Sequence, residues 1–118
     1  ERVLFIETGF GCDAHGQNVT KAAARAARNA IEFNSLPAIR EIVPGGYDGM
    51  RLRVTLGVPE KYVDGLDTAA VEAVFPYGRV EIDVRVGGLA APSGVEVDAL
   101  GDEGDDMVIC IAHVQVGY

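Results

Sequence analysis

A glycine-rich segment, Gly9 to Gly16, constrains the fold of this chain more than any other sequence feature. It follows an apolar stretch typical of a strand and precedes an alanine-rich stretch with helical periodicity. Within eight residues it holds three glycines, a cysteine, a carboxylate and an imidazole. Short polar side chains on a glycine-rich turn add little to a core but suit a ligand or a metal ion. We therefore expect a strand–turn–helix unit with a functional site at the turn.

Apolar periodicity predicts the other elements. Arg2–Thr8 is apolar almost throughout, which favours a central strand. A helix is predicted after a cap at Asn18 or Thr20, with its apolar face formed by Val19, Ala22, Ala23, Ala26, Ala30 and Phe33. The further predicted elements are a helical turn at Ala38–Val43, a strand at Met50–Val58, a helix from Asp67 to Phe75, a strand at Val80–Val86, a short extension at Val95–Val97 and a strand at Met107–Val116.

This order, β-α-β-α-β-β, predicts one α+β domain over residues 1–118 with a mixed sheet and two helices on one face. The second and third strands carry charges on their other face, whereas the first and last strands are apolar on both. With 48% hydrophobic residues in so short a chain, surplus apolar surface has to be covered. We therefore expect a homo-oligomer in which sheets pack together around a partly polar centre.

Charge and composition exclude several classes of partner. The formal net charge of −8 argues against nucleic acid and against anionic membranes. Two cysteines, Cys12 and Cys110, do not make a disulfide framework, and no apolar run reaches membrane-spanning length. A cytoplasmic protein is therefore expected. Six of the 18 acidic residues lie between Glu96 and Asp106, where we expect a solvated loop; a weak Ca²⁺ site or a surface for a basic partner are the alternatives.

A divalent metal site is the first hypothesis for the Gly9–Gly16 segment. Asp13 and His15 lie two residues apart on the expected turn, and a carboxylate with an imidazole suits Zn, Mn or Fe. A third ligand is needed. The candidates are His113, on the last predicted strand, and Glu7, near the end of the first.

An anion site is the second hypothesis, with Gly9, Gly11, Gly16, Gln17 and Asn18 as the binding residues. A glycine-rich turn before a helix offers free backbone N–H groups and the positive end of the helix dipole. The spacing also matches the alanine variant of the dinucleotide fingerprint. However, the chain is too short for a doubly wound nucleotide fold, and Asp13 would place negative charge beside a pyrophosphate, so no nucleotide cofactor is expected.

A purely structural role for the turn is the alternative to both sites. Asp13 could accept backbone N–H bonds and His15 could donate to a carbonyl, which would fix the passage from strand to helix. On the second predicted strand, Arg51 and Arg53 are expected to pair with Glu81 and Asp83 across the sheet rather than to bind an anion.

The segment Gly9-x-Gly11-x-Asp13-x-His15-Gly16 resembles the motif that defines a family of conserved proteins of bacteria and plants with no established activity. It also resembles, more distantly, the amino-terminal Gly-x-Gly-x-Asp-x-His of methylerythritol cyclodiphosphate synthase. That resemblance implies a trimer of the fold shared with Bacillus chorismate mutase and YjgF-like proteins. It further implies that Asp13 and His15 are metal ligands at a subunit boundary. The histidine segment that completes the synthase site has no counterpart here, so cyclase activity is not expected.

Two functions follow as hypotheses. One is a metal-dependent enzyme or binding protein for a small anionic metabolite, with its site on the Gly9–Gly16 segment at a subunit boundary. The other is a non-enzymatic small-ligand-binding or regulatory oligomer of the YjgF-like kind, in which this segment is a structural turn.

Overall fold

The computed structural model describes residues 1–32 and 35–118. In these residues the chain forms a five-stranded mixed sheet with helices packed on one face. The elements in chain order are β1 (Val3–Asp13), α1 (Val19–Ile31), α2 (Ile39–Ile42), β2 (Arg51–Val58), α3 (Thr68–Glu72), β3 (Arg79–Val86), β4 (Leu89–Pro92) and β5 (Asp106–Gly117), with 3₁₀ turns at Gly46–Gly49, Glu60–Gly65 and Asp98–Leu100. The α+β class predicted from the sequence is confirmed.

The sheet is organised around β5. Its strand order is β1-β5-β2-β3, and the short β4 also pairs with β5. β1, β2 and β4 run antiparallel to β5, whereas β3 runs parallel to β2. On the helix-covered face, β5 contributes the fully buried side chains of Val108, Cys110, Ala112 and Val114. Burial raises the pKa of the Cys110 thiol to about 11, as suits a small core residue.

Two glycines of β1 allow α1 to lie directly on the sheet. A Cβ atom at Gly9 would lie 2.7 Å from the carbonyl oxygen of Ala26, and one at Gly11 would meet the backbone of Ala22 and Ala26. The facing side of α1 is built from small residues, with four alanines fully buried: Ala22, Ala23, Ala26 and Ala27. The helix backbone therefore rests against the strand backbone, with no room for a side chain between them.

The structure corrects several predicted boundaries. β1 continues to Asp13 instead of ending at Thr8, because the glycines that suggested a turn pair with β5 as strand residues. The short extra strand is Leu89–Pro92 rather than Val95–Val97, and α3 ends at Glu72 rather than Phe75. The predicted helical position Phe33 lies outside the described residues.

Other predictions are confirmed. Asn18 is the N-cap of α1, and its side chain accepts a hydrogen bond from the Lys21 backbone N–H. The helical turn, the strands after Met50 and Arg79 and the last strand lie within one or two residues of their predicted bounds. No helix in the described part of the chain is long and apolar enough to cross a membrane.

The face of the sheet opposite α1 is open. Four apolar side chains on this face are about half exposed or more, those of Ile6, Phe10, Leu89 and Ile111. Beside them lies a charged region. Arg51 pairs with Glu81 as predicted, at 3.4 Å, but Arg53 pairs with Glu1 at 2.7 Å instead of with Asp83.

Candidate functional site

The turn between β1 and α1 is held by one buried carboxylate, that of Asp102. His15 Nδ1 lies 2.8 Å from its Oδ2, and the backbone N–H of Gly16 donates to its Oδ1 at 2.6 Å. The Val97 N–H and the Gln17 amide add two further hydrogen bonds. The side chain of Asp102 is only 1% exposed. These donors, His15 first, hold the pKa of Asp102 well below its usual range.

Asp13 is also fully engaged within the fold. Its Oδ2 accepts a hydrogen bond from the Asn18 backbone N–H at 2.8 Å, and its Oδ1 lies 3.3 Å from the Arg25 guanidinium. Arg25 donates in addition to the carbonyl oxygen of Cys12 at 2.7 Å. Both carboxylate oxygens therefore have partners, and one partner is a cation that would repel a metal ion.

The sequence-predicted metal ligands do not converge on one point. Glu7 shares the helix-covered face of β1 with Asp13 but lies six residues away, which is roughly 20 Å along a strand. His113 pairs with Thr8 on the opposite face of the sheet. Within residues 1–32 and 35–118, no group of three or more His, Cys, Asp and Glu side chains is placed to hold a metal ion.

The predicted anion-binding residues fall into two groups. Gly9 and Gly11 lie beneath α1, where even a Cβ atom would collide with the helix backbone. Gln17, which adopts a left-handed backbone conformation (φ 48°), directs its amide to Asp102, to the Asp106 carbonyl and to the Glu103 N–H. Its side chain thus connects the turn to the acidic segment, Glu96–Asp106.

Gly16, Gln17 and Asn18 border an open depression of about 440 Å³ at the start of α1. Lys61 and Tyr62 line the same depression, but both donate to Asp106, at 3.0 and 2.7 Å. The hydrogen bond to Asp106 raises the pKa of Lys61. The hydrogen bond from Tyr62, followed by that from Lys61, lowers the pKa of Asp106. The cation that could attract an anion here is therefore already paired.

The importance of Asp102 was not visible in the sequence. It lies in a run of acidic residues that predicts a solvated loop, and nothing local distinguishes it from Glu103 or Asp105. That interpretation was wrong for Asp102, which is buried. Three of its four partners, His15, Gly16 and Gln17, lie 85 to 87 residues away in the sequence, so only the tertiary structure pairs them with Asp102.

A better-formed pocket lies at the other end of α1. α1 ends at Ile31, but β1 and β5 continue beyond this end of the helix. The part of the sheet from Glu7 towards Phe5 is therefore not covered by α1. Residues after α1 close the far side. The resulting Glu7 pocket has a volume of about 340 Å³, and its wall is formed by Phe5, Glu7, Ile31, Ser35, Leu36, Ile39, Arg40, Tyr47, Met50, Leu52, Phe75, Pro76, Tyr77 and Val116.

Polar groups are few in this pocket, and Glu7 is distinctive among them. Burial raises the pKa of the Glu7 carboxyl. No group in residues 1–32 or 35–118 donates a hydrogen bond to this carboxylate or forms an ion pair with it. The rings of Tyr47 and Tyr77 stack at 5.1 Å between centroids, and the Arg40 guanidinium lies over the Tyr47 ring at 5.6 Å.

A signal for this site was present in the sequence. Glu7 interrupts the apolar run of β1, but the sequence pattern indicates it only as a candidate metal ligand. Most other residues of the pocket wall come from predicted turns and from the ends of predicted helices and strands.

The sequence pattern of the Lin0512 family, described as conserved hypothetical proteins, matches residues 3–116. The chain belongs to this family. A solved structure of a Nostoc punctiforme protein, described as an FtsZ-like protein of unknown function, is 39% identical to this Lin0512 family member. The two superpose with a TM-score of 0.87, covering 98% of this chain and 93% of the other. No curated protein matches the sequence.

Proposed function

We propose that this protein binds a small molecule in the Glu7 pocket and that the Gly9–Gly16 segment is structural. This is the ligand-binding alternative among the two sequence-based hypotheses. The observation that carries it is the Glu7 carboxylate, which has no partner among residues 1–32 and 35–118, in a pocket otherwise lined largely by apolar and aromatic side chains. Ligand sites commonly combine such a lining with a few convergent polar groups.

The contacts of the turn support the structural part of the proposal. Asp13 and His15 each have a partner inside the fold, Arg25 and Asp102 respectively. A metal or an anion at this turn would have to compete with those partners. The hypothesis of a Zn, Mn or Fe ion on Asp13 and His15 stays a prediction, and metal content decides it.

We also propose that copies of the chain associate through the open face of the sheet. Its apolar part includes Phe10, 65% exposed, and Ile6, 56% exposed. Next to it, β2 presents arginines and β3 presents both acidic and basic side chains, so a second copy can offer opposite charges to both strands. A second copy therefore matches both parts of this surface. The trimer implied by the resemblance is one form of such an assembly.

A ligand screen with balanced charge tests the binding proposal. Cationic, anionic and neutral compounds of similar size are tested by ligand-observed NMR against the wild type, Tyr77→Ala and Leu100→Ala. Tyr77 lines the pocket, whereas Leu100 is similarly exposed (54% against 52%) in the distant acidic segment. Compounds that bind the wild type and Leu100→Ala but not Tyr77→Ala support the proposal. Absence of any bound compound, or binding that Tyr77→Ala leaves unchanged, contradicts it.

A further inference from the structure

We infer that the ligand of the Glu7 pocket is an organic amine, protonated at neutral pH, with an apolar body. The inference rests on the proposed function, since it names the class of molecule that the pocket takes.

The described residues, 1–32 and 35–118, supply no hydrogen-bond donor to the Glu7 carboxylate. The Glu7 side chain is half-buried, and this partial loss of water raises the pKa of its carboxyl. By contrast, the carboxylates of Asp13, Asp102 and Asp106 each have donors within the chain. A ligand ammonium group would provide both an opposite charge and hydrogen-bond donors to Glu7.

The walls of the pocket suit the rest of such a ligand. Phe5, Ile31 and Leu52 contribute apolar surface, and the stacked rings of Tyr47 and Tyr77 offer an aromatic edge to the pocket. Aromatic faces attract cations as well as apolar groups. A body the size of a phenyl or cyclohexyl ring fits a volume of about 340 Å³ with room for a short linker to the amine.

Arg40 is the one cation among the described wall residues, and it does not neutralise Glu7. The Arg40 guanidinium lies over the Tyr47 ring, and Arg40 is exposed. Solvent therefore screens its charge. A purely anionic ligand would be drawn to Arg40 but would then bring a second negative charge into the pocket that holds Glu7.

Matched compounds test this inference in the 118-residue chain. 2-Phenylethylamine, 2-phenylethanol and 3-phenylpropionate, together with the cyclohexyl analogues, share their apolar bodies and differ in charge. Isothermal titration calorimetry measures their affinities for the wild type, for Glu7→Gln and for Glu41→Gln. Glu41 lies exposed on α2 outside the pocket wall, which makes it a matched control.

We expect the amines to bind the wild type about tenfold more tightly than the alcohols, as one charge-assisted hydrogen bond provides. Glu7→Gln should remove that preference, and Glu41→Gln should keep it. Alcohols or carboxylates that bind as well as the amines overturn the inference while leaving the pocket as a binding site; the wild-type comparison gives this result even if a variant misfolds. If no compound of any charge binds, the proposed function fails as well.

Discussion

His15 and Asp102 lie 87 residues apart in the sequence and meet at 2.8 Å in the structure, Nδ1 to Oδ2. This contact joins the turn before α1 to the acidic segment before β5. The same carboxylate also accepts hydrogen bonds from the backbone N–H groups of Gly16 and Val97. His15 and Gly16, which suggested a ligand site from the sequence, are thus bound to a carboxylate of the fold itself.

Replacing Asp102 with asparagine should lower the thermal unfolding midpoint by several degrees. The amide has the same shape, but it turns a charged acceptor into a group with one neutral acceptor and places N–H donors among N–H donors. Glu103→Gln is the control, because the Glu103 side chain is exposed next to it in the same segment. Differential scanning calorimetry at pH 7 measures both variants, and equal midpoints for the two would contradict the role assigned to Asp102.

The effect of Asp102 should depend on pH in a defined direction. The pKa of Asp102 is lowered in the folded state, so its stabilising contribution is fully present above the unfolded pKa of about 3.9 and is lost as the pH falls through the lower, folded value. The difference in midpoint between the wild type and Asp102→Asn should therefore shrink as the pH falls below about 4. A difference that stays the same down to pH 2.5, or that grows on acidification, would contradict this account.

Adding one methyl group at Gly11 should destabilise the fold strongly. The new Cβ would collide with the backbone of Ala22 and Ala26 in α1, and relief would require the helix to move away from the sheet. Overpacking of this kind costs about 1–3 kcal/mol, or more where backbone has to shift. At Gly65 a Cβ would meet Val19 Cγ1 at an ordinary 3.6 Å, so Gly65→Ala is the control. Chemical denaturation measures both, and a Gly11→Ala variant as stable as the wild type would refute the close packing of α1.

Metal analysis separates the structural turn from a metal site. Since Asp13 and His15 have partners in the chain, we expect chelator treatment to leave the unfolding midpoint unchanged. Elemental analysis of untagged protein, with Asp13→Asn and His15→Gln for comparison, measures Zn, Mn and Fe per subunit. About one equivalent that is lost in both variants and on chelation would establish the metal hypothesis and contradict the structural turn.

Substituting one residue on the open face should change the assembly state. Phe10 is 65% exposed on that face, so Phe10→Lys should disfavour an apolar contact between copies. Val95→Lys, at a site 51% exposed in a loop, is the control. Light scattering after gel filtration should give a multiple of 12.5 kDa for the wild type and the control, and 12.5 kDa for Phe10→Lys. A wild-type monomer, or an assembly that Phe10→Lys leaves intact, would refute the proposed interface.

The sequence predicted the helices and strands better than the candidate site. The helices and strands follow from local patterns, whereas the site depends on contacts between distant segments. Alternating apolar residues in β2 and β3 and the alanine stripe of α1 are local patterns that a backbone period explains. Gly9 and Gly11 misled the prediction, since glycine in a strand under a helix and glycine in a turn are identical in sequence. What distinguishes them is the helix packed over the strand, and only the tertiary structure shows that contact.

The Glu7 pocket was harder to predict than the elements, because it forms where α1 ends. Glu7 is noticeable as a polar residue in an apolar strand, but its exposure to a pocket follows from α1 ending at Ile31 while β1 continues beneath. Tyr47 and Tyr77 come from two separate turns, and only the fold brings their rings to 5.1 Å. Likewise, no local pattern sets Asp102 apart from the other acidic residues around it.

The most direct test of the central claim is to locate a bound ligand by NMR. 2-Phenylethylamine is titrated into protein with labelled isoleucine, leucine and valine methyl groups. The account predicts shifts at the pocket methyl groups of Ile31, Leu52 and Val116, with little change at Val19, about 20 Å away at the other end of α1. Shifts centred on Val19, beside the depression at the start of α1, or no shifts at any concentration, would contradict it.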